Sequence, residues 1–175
     1  FLMKKFFLSF IAIIIFFTNA ASSVEKISFI DMDRVISTSN SGVSILEQLN
    51  KLNKENIVFF NKEEKALSEK EVKLISQKNI ISEADFKNKV DQLKNEINDY
   101  NQKKNKMMNS LKKLKVDNTK KLLKLINLIL VEFSQDNSIS LIFQKKDLVI
   151  GKIELDITDK VIKIVNKEIS KFKIE

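Results

Sequence analysis

Residues 86–114 read FKNKVDQLKNEINDYNQKKNKMMNSLKKL, and this stretch decides the fold. Phe86, Val90, Leu93, Ile97, Tyr100, Met107, Leu111 and Leu114 recur in alternating steps of four and three, with only Lys104 out of place. That is a heptad seam over about four repeats, and a seam needs a second helix to face it. Upstream, Ile45, Leu49, Leu52, Phe59 and Ala66 follow the same spacing, but Asn56, Glu63 and Lys70 stand where apolar residues are expected. The pattern predicts an antiparallel helical hairpin, tight at its base and loose or splayed at its tip. Ser37, Thr38, Ser39, Asn40 and Ser41 form a capping cluster before Gly42, so the first long helix starts near there, and nothing breaks it until about Lys78. Asn79 to Ser82 is the reversal, with Ser82 three residues before Asp85 in a capping-box-like arrangement. The second helix then runs to about Ser134. At 1.5 Å per residue the two helices are about 55 Å and 80 Å long. They cannot fit inside a compact chain of this size, whose radius of gyration would be about 15 Å.

Outward from the hairpin, the sequence turns apolar. Leu122, Leu123, Leu125, Ile126, Leu128, Ile129, Leu130, Val131 and Phe133 leave the second helix apolar on most faces, so this end enters a core. Asp136-Asn137-Ser138 reads as a turn, Ile139 to Phe143 as a strand, Gln144-Lys145-Lys146 as a polar turn, and Leu148 to Ile150 as another strand ending at Gly151. Asp156 and Thr158 can cap a last helix carrying Val161, Ile162, Ile164, Val165 and Ile169. Before the hairpin, Lys26 to Ile30 is β-prone and leads through Asp31-Met32-Asp33 into a helical turn at Arg34-Val35-Ile36. The expected fold class is α+β, mostly α: a small β-sheet head with a long projecting antiparallel helical hairpin, a coiled-coil arm. The head takes residues 24–40 and 135–175 and the arm residues 41–134, within a single domain over 22–175.

Lys4 and Lys5 precede an apolar run from Phe6 to Phe17, followed by Thr18, Asn19 and the small residues Ala20, Ala21, Ser22 and Ser23. This is the charged, apolar, small-residue order of a cleaved secretory signal peptide, assigned to residues 1–21, and the run is short for a bilayer span. The composition contains no Pro, Cys, Trp or His, and only Gly42 and Gly151. Cys/His zinc sites, Ser-His triads and Cys-His nucleophile pairs are thereby excluded, so no catalytic residue, metal ligand or cofactor site is assigned and the chain reads as a non-enzyme. An exported fold without disulfides must be held by packing or by oligomerisation. Asp31-Met32-Asp33 lacks a third ligand group for a divalent cation and reads as a cap. Gly151-Lys152 has no glycine pattern of a phosphate loop before it.

The formal net charge is +8, and the arm alone, residues 41–134, carries 19 Lys against 13 Asp and Glu. Lys, Asn and Ile share AT-rich codons, so the excess is either a coding bias on solvated helix faces or an attraction for acidic partners such as anionic lipid headgroups or acidic polypeptide segments. Nucleic acid is set aside, because export removes it and no aromatic-plus-basic recognition motif is present. Phe59 and Phe60 point in adjacent directions on one helix, so at least one lies off the seam. Met107 and Met108 sit in the heptad region, where methionine is most often packing.

Three motifs, Ile27-Ser28-Phe29-Ile30-Asp31-Met32-Asp33-Arg34-Val35-Ile36, Ser39-Asn40-Ser41-Gly42 and Leu155-Asp156-Ile157-Thr158-Asp159-Lys160-Val161, resemble the Skp/OmpH family of periplasmic chaperones. Their order around a hairpin of this length is more specific than any one of them. The resemblance implies a homotrimer whose head strands associate and whose three basic arms enclose a cavity for unfolded outer-membrane β-barrel proteins in the periplasm, without ATP. It carries no catalytic residues. The arms depart from the family pattern in being rich in Asn and Lys and poor in Ala. On this reading Phe59, Phe60, Lys62, Lys65, Lys73, Lys78, Lys87, Lys89 and Lys94 contact clients. Ile27, Phe29, Leu141 and Phe143 form the trimer core or interface, since one small sheet cannot bury its apolar strands unaided. The competing reading is a structural or adaptor coiled coil of the envelope, whose hairpin docks one fixed partner. A fixed interface needs a continuous apolar stripe, and the breaks at Asn56, Glu63 and Lys70 favour the holdase.

Overall fold

The computed structural model describes residues 25–175; the leader expected over residues 1–21 lies outside the described residues. Strand β1 spans Lys26–Ile30 and helix α1 spans Met32–Thr38. The two long helices are α2, Asn40–Ser76, and α3, Glu83–Asp136. Strand β2, Ile139–Gln144, and helix α4, Thr158–Glu168, complete the head.

Short polar side chains set the helix starts, as their positions in the sequence suggest. Asp31 accepts from the backbone N–H of Arg34 at 2.9 Å. Ser39 accepts from Gly42 N–H at 3.3 Å. Ser82 accepts from Asp85 N–H at 3.1 Å and returns its hydroxyl proton to Asp85 Oδ2 at 2.6 Å. Each satisfies a backbone donor that the first helical turn leaves orphaned. Gly42 is required for a different reason. A Cβ there would lie 1.6 Å from the carbonyl oxygen of Ile36, so only glycine lets α2 leave α1 at this angle. At the other end of the arm, Ser138 takes the left-handed conformation, φ 52°, that turns α3 into β2.

The two strands are parallel, and the whole arm is their crossover. Ile27 pairs with Leu141, Ser28 with Ile142, Phe29 with Phe143 and Ile30 with Gln144. Side chains alternate across a strand, so Ile27, Phe29, Leu141 and Phe143 share one face. Beneath the other face lies the core, built from Ile30, Val35, Ile45, Leu49, Leu122, Ile126, Ile129, Ile157, Val161 and Val165. The apolar end of α3 therefore enters the core, as its composition demands. The free side of β1 is closed by residues 156–157, where Ile157 N–H donates to Phe29 O at 3.0 Å. Asp31 N–H donates to Thr158 Oγ1 at 2.9 Å, which ties the end of β1 to the start of α4.

Four expectations are corrected. Leu148 to Ile150 forms no strand, because residues 156–157 already occupy the second edge of β1; Val149 and Ile150 are exposed instead. The hairpin does not splay towards its tip. Leu74 is buried there, and Lys70 reaches Glu96 across the hairpin at 2.6 Å. The seam of α2 runs through Ile45, Leu49, Phe60, Leu67 and Leu74 rather than through Phe59 and Ala66. A seam in steps of 3.6 drifts off a strict heptad by about 20° per repeat, and one extra step near Asn56 brings Phe60 inward. Finally, the closing helix stops at Glu168, and residues 170–175 continue without helix.

Candidate functional site

Midway along the arm, the adjacent phenylalanines part company. Phe60 is 6% exposed and meets Tyr100 edge-on, with ring centroids 5.8 Å apart, whereas Phe59 is 52% exposed. Of the pair assigned to client contact, Phe60 is thus withdrawn into the seam and only Phe59 is presented. Lys104, the residue out of place in the heptad, belongs to a polar lock. Its ammonium donates to the Tyr100 hydroxyl at 3.1 Å, and that hydroxyl donates to Glu64 Oε2 at 2.9 Å. The Tyr100 hydrogen bond, aided by the Glu64 carboxylate 3.8 Å away, holds Lys104 above the usual lysine value.

Lys62, Lys65, Lys73, Lys78, Lys87, Lys89 and Lys94 are all exposed. Lys65 lies 4.0 Å from Glu69 and Lys94 3.8 Å from Asp91, spacings at which an exposed pair contributes little. Lys89 donates to Gln77 Oε1 at 3.3 Å. Lys62, Lys73, Lys78 and Lys87 make no ion pair among the described residues. Interleaved with these cations are exposed apolar side chains: Ile57, Val58, Val72, Ile75, Ile80 and Met108. The outer arm surface thus offers positive charge and scattered apolar patches together, while at its base Leu125, Leu128 and Val131 form a short exposed apolar stripe on α3.

On the head, the structure gathers the four residues assigned to the trimer core or interface onto one sheet face. Phe29 is covered by Gly151, where a Cβ would come within 2.8 Å of its ring. Ile27, Leu141 and Phe143 stay exposed. Beside them an open groove of about 670 Å³ is lined by Met32, Ile36, Leu130, Val131 and the two exposed apolar residues of β2, Leu141 and Phe143.

One feature escapes the sequence reading altogether. Residues 172–175 lie at the foot of the arm, held by side chains of both long helices. Gln48 Nε2 and Ser44 Oγ donate to Phe172 O at 2.7 and 3.0 Å, and Gln48 Oε1 accepts from Ile174 N–H at 3.3 Å. From α3, Asn118 donates to Glu175 O and accepts from Glu175 N–H, both at 3.3 Å. The signals that could have found it are polar Gln48, beside buried Leu49, polar Asn118, one turn before buried Leu122, and the alternation of Phe172 and Ile174 with lysines.

Among the described residues no group of three or more His, Cys, Asp or Glu is placed to hold a metal ion, and no helix is long and apolar enough to cross a membrane. Residues 26–165 match the family described as Outer membrane protein (OmpH-like). A crystal structure of a protein from Caulobacter crescentus CB15, described as a candidate outer membrane chaperone (OmpH-like), superimposes with a TM-score of 0.82. The two sequences are 14% identical, and the match covers 87% of this chain and 90% of that one. No curated protein matches the sequence. The fold is shared with that solved structure, and, with the family match running from β1 into α4, the chain belongs to the OmpH-like outer membrane protein family.

Proposed function

We propose that the protein is an ATP-independent holdase chaperone of the periplasm, which binds unfolded outer-membrane β-barrel proteins along its arms and does so as a homotrimer joined through the head. The observation that carries this reading is the arm surface, where unpaired lysines alternate with exposed Ile57, Val58, Phe59, Val72 and Ile75. Positive charge gathers acidic segments and scattered apolar side chains hold them, whereas a fixed partner would need one continuous stripe. The solved relative with the same fold is itself described as an outer membrane chaperone, which supports the reading. Exposed Ile27, Leu141 and Phe143 beside the head groove support association there, since a single chain leaves them in water.

The test dilutes a urea-unfolded β-barrel protein into buffer with and without the purified protein and follows light scattering. Suppressed aggregation, with no binding to folded proteins, is the expected result. Aggregation unchanged at a threefold excess of chaperone would dispose of the proposal. Sedimentation equilibrium of the same sample should give three chains per particle, and a folded monomer at micromolar concentration would overturn the assembly.

A further inference from the structure

The slot at the foot of the arm holds its occupant in a way that makes the occupant replaceable. Gln48 on α2 and Asn118 on α3 each use both ends of the side-chain amide on backbone groups of residues 172–175. Asn118 is wholly buried, so its amide depends on this partner and on Leu114 O, to which it donates at 2.8 Å. Such bonds read main chain, not side-chain identity, which is how an extended peptide is recognised when its sequence varies. Side-chain selection is limited to apolar groups at alternate positions: Phe172 and Ile174 pack against the core, while Lys171 and Lys173 face water. Neither Phe172 nor Ile174 is fully buried, and the one ion pair, Lys121 to Glu175 at 3.1 Å, is exposed. The tail is therefore held mainly by backbone hydrogen bonds rather than by fully buried side chains.

We propose that this slot is a docking site for extended polypeptide with alternating apolar residues, occupied at rest by the chain's own residues 172–175, and that a client segment displaces them. Alternation of apolar and polar residues is the pattern of strands in membrane β-barrels. Lys171 to Glu175 carries that pattern and so acts as a built-in competitor. The client part of the proposal rests on the holdase reading above; the slot does not.

Two measurements separate them. The first uses a fluorescent peptide of residues 169–175 and compares the full chain with its F172S/I174S variant, whose released tail leaves the slot open. Anisotropy should show the peptide binding the variant at least tenfold more tightly than the unaltered chain. Equal affinity, or no binding to a variant with unchanged circular dichroism and assembly state, overturns the slot. The second needs no variant and holds even if that one fails to fold. Amide hydrogen exchange at Ile174 and Glu175 is followed with and without an unfolded β-barrel protein at saturation. Faster exchange at both is expected. Unchanged protection while aggregation is suppressed overturns displacement and leaves the holdase standing. Failure to suppress aggregation sinks the holdase and with it displacement, and the peptide alone then decides the slot.

Discussion

A ring at position 60 and a ring at position 59 meet opposite surroundings, so truncating each has a different outcome. Phe60→Ala opens a hole against Tyr100 and should cost about 3 kcal/mol, the low end for a buried phenylalanine, because a two-helix seam is open on its flanks. Phe59→Ser removes an edge-on contact with Phe60, ring centroids 5.2 Å apart, and should cost only about 1 kcal/mol while weakening client capture. Thermal unfolding by circular dichroism, run beside the light-scattering assay, reads both. In the head, Asp156 is the residue through which acid acts. Burial pushes its carboxyl up, but the hydroxyl and backbone N–H of Thr158, with Lys145 3.6 Å away, outweigh that and hold it below the usual value. A folded-state value below the unfolded one adds stability that is fully present above about pH 3.9 and fades as pH falls through the depressed value. Urea unfolding from pH 6 to pH 3 should therefore show the unaltered protein losing stability below about pH 4, and Asp156→Asn starting lower with a flatter dependence.

At the scale of elements, what was legible in the sequence is what local chemistry decides. Ser39, Ser82 and Asp31 announce helix starts because a cap acts within three residues. The apolar end of α3 announces its own burial. What the sequence hid depends on partners that only the tertiary fold brings together. The phase of the α2 seam is set by which residue meets Tyr100, and the failure of Leu148 to Ile150 to pair is set by residues 156–157 taking the edge first. The arm slot was hidden for the same reason, since Gln48 and Asn118 look like faults in a seam until the tail supplies their partners. This layout grades the arm: buried side chains crowd α3 from Leu122 to Ile129, while between Leu67 and Lys94 only Leu74 is buried. Hydrogen exchange should be slowest from Leu122 to Phe133 and faster by at least tenfold across 67–94. Uniform protection along the arm would show that the tip is as firmly paired as the base.

For the whole molecule, the proposed holdase role would have charge and shape act together in capture. Exposed charges are screened over about 8 to 10 Å at ordinary salt, so the lysines should govern how fast a client arrives rather than how long it stays. Replacing Lys62, Lys73, Lys78 and Lys87 with Gln, which forms helix nearly as well, should slow association several-fold at low ionic strength with little change in dissociation. High salt should do the same to the unaltered protein, as stopped-flow fluorescence will read. Rates indifferent to both treatments would reduce the arm charge to codon bias on a solvated surface. The parallel pairing of β1 with β2 has a consequence of another kind. A chain made from its N-terminus finishes β1 long before β2 exists, so the first strand must wait through the synthesis of the entire crossover. The wait is shortened in space though not in time. Each arm helix forms from neighbours along the sequence, and once the rods zip from the turn at residues 77–82 they carry Ile139 back beside Lys26. The ends of a long loop are thus brought together by a rigid lever instead of a random search, and the entropy of closure is offset along the seam before the sheet forms.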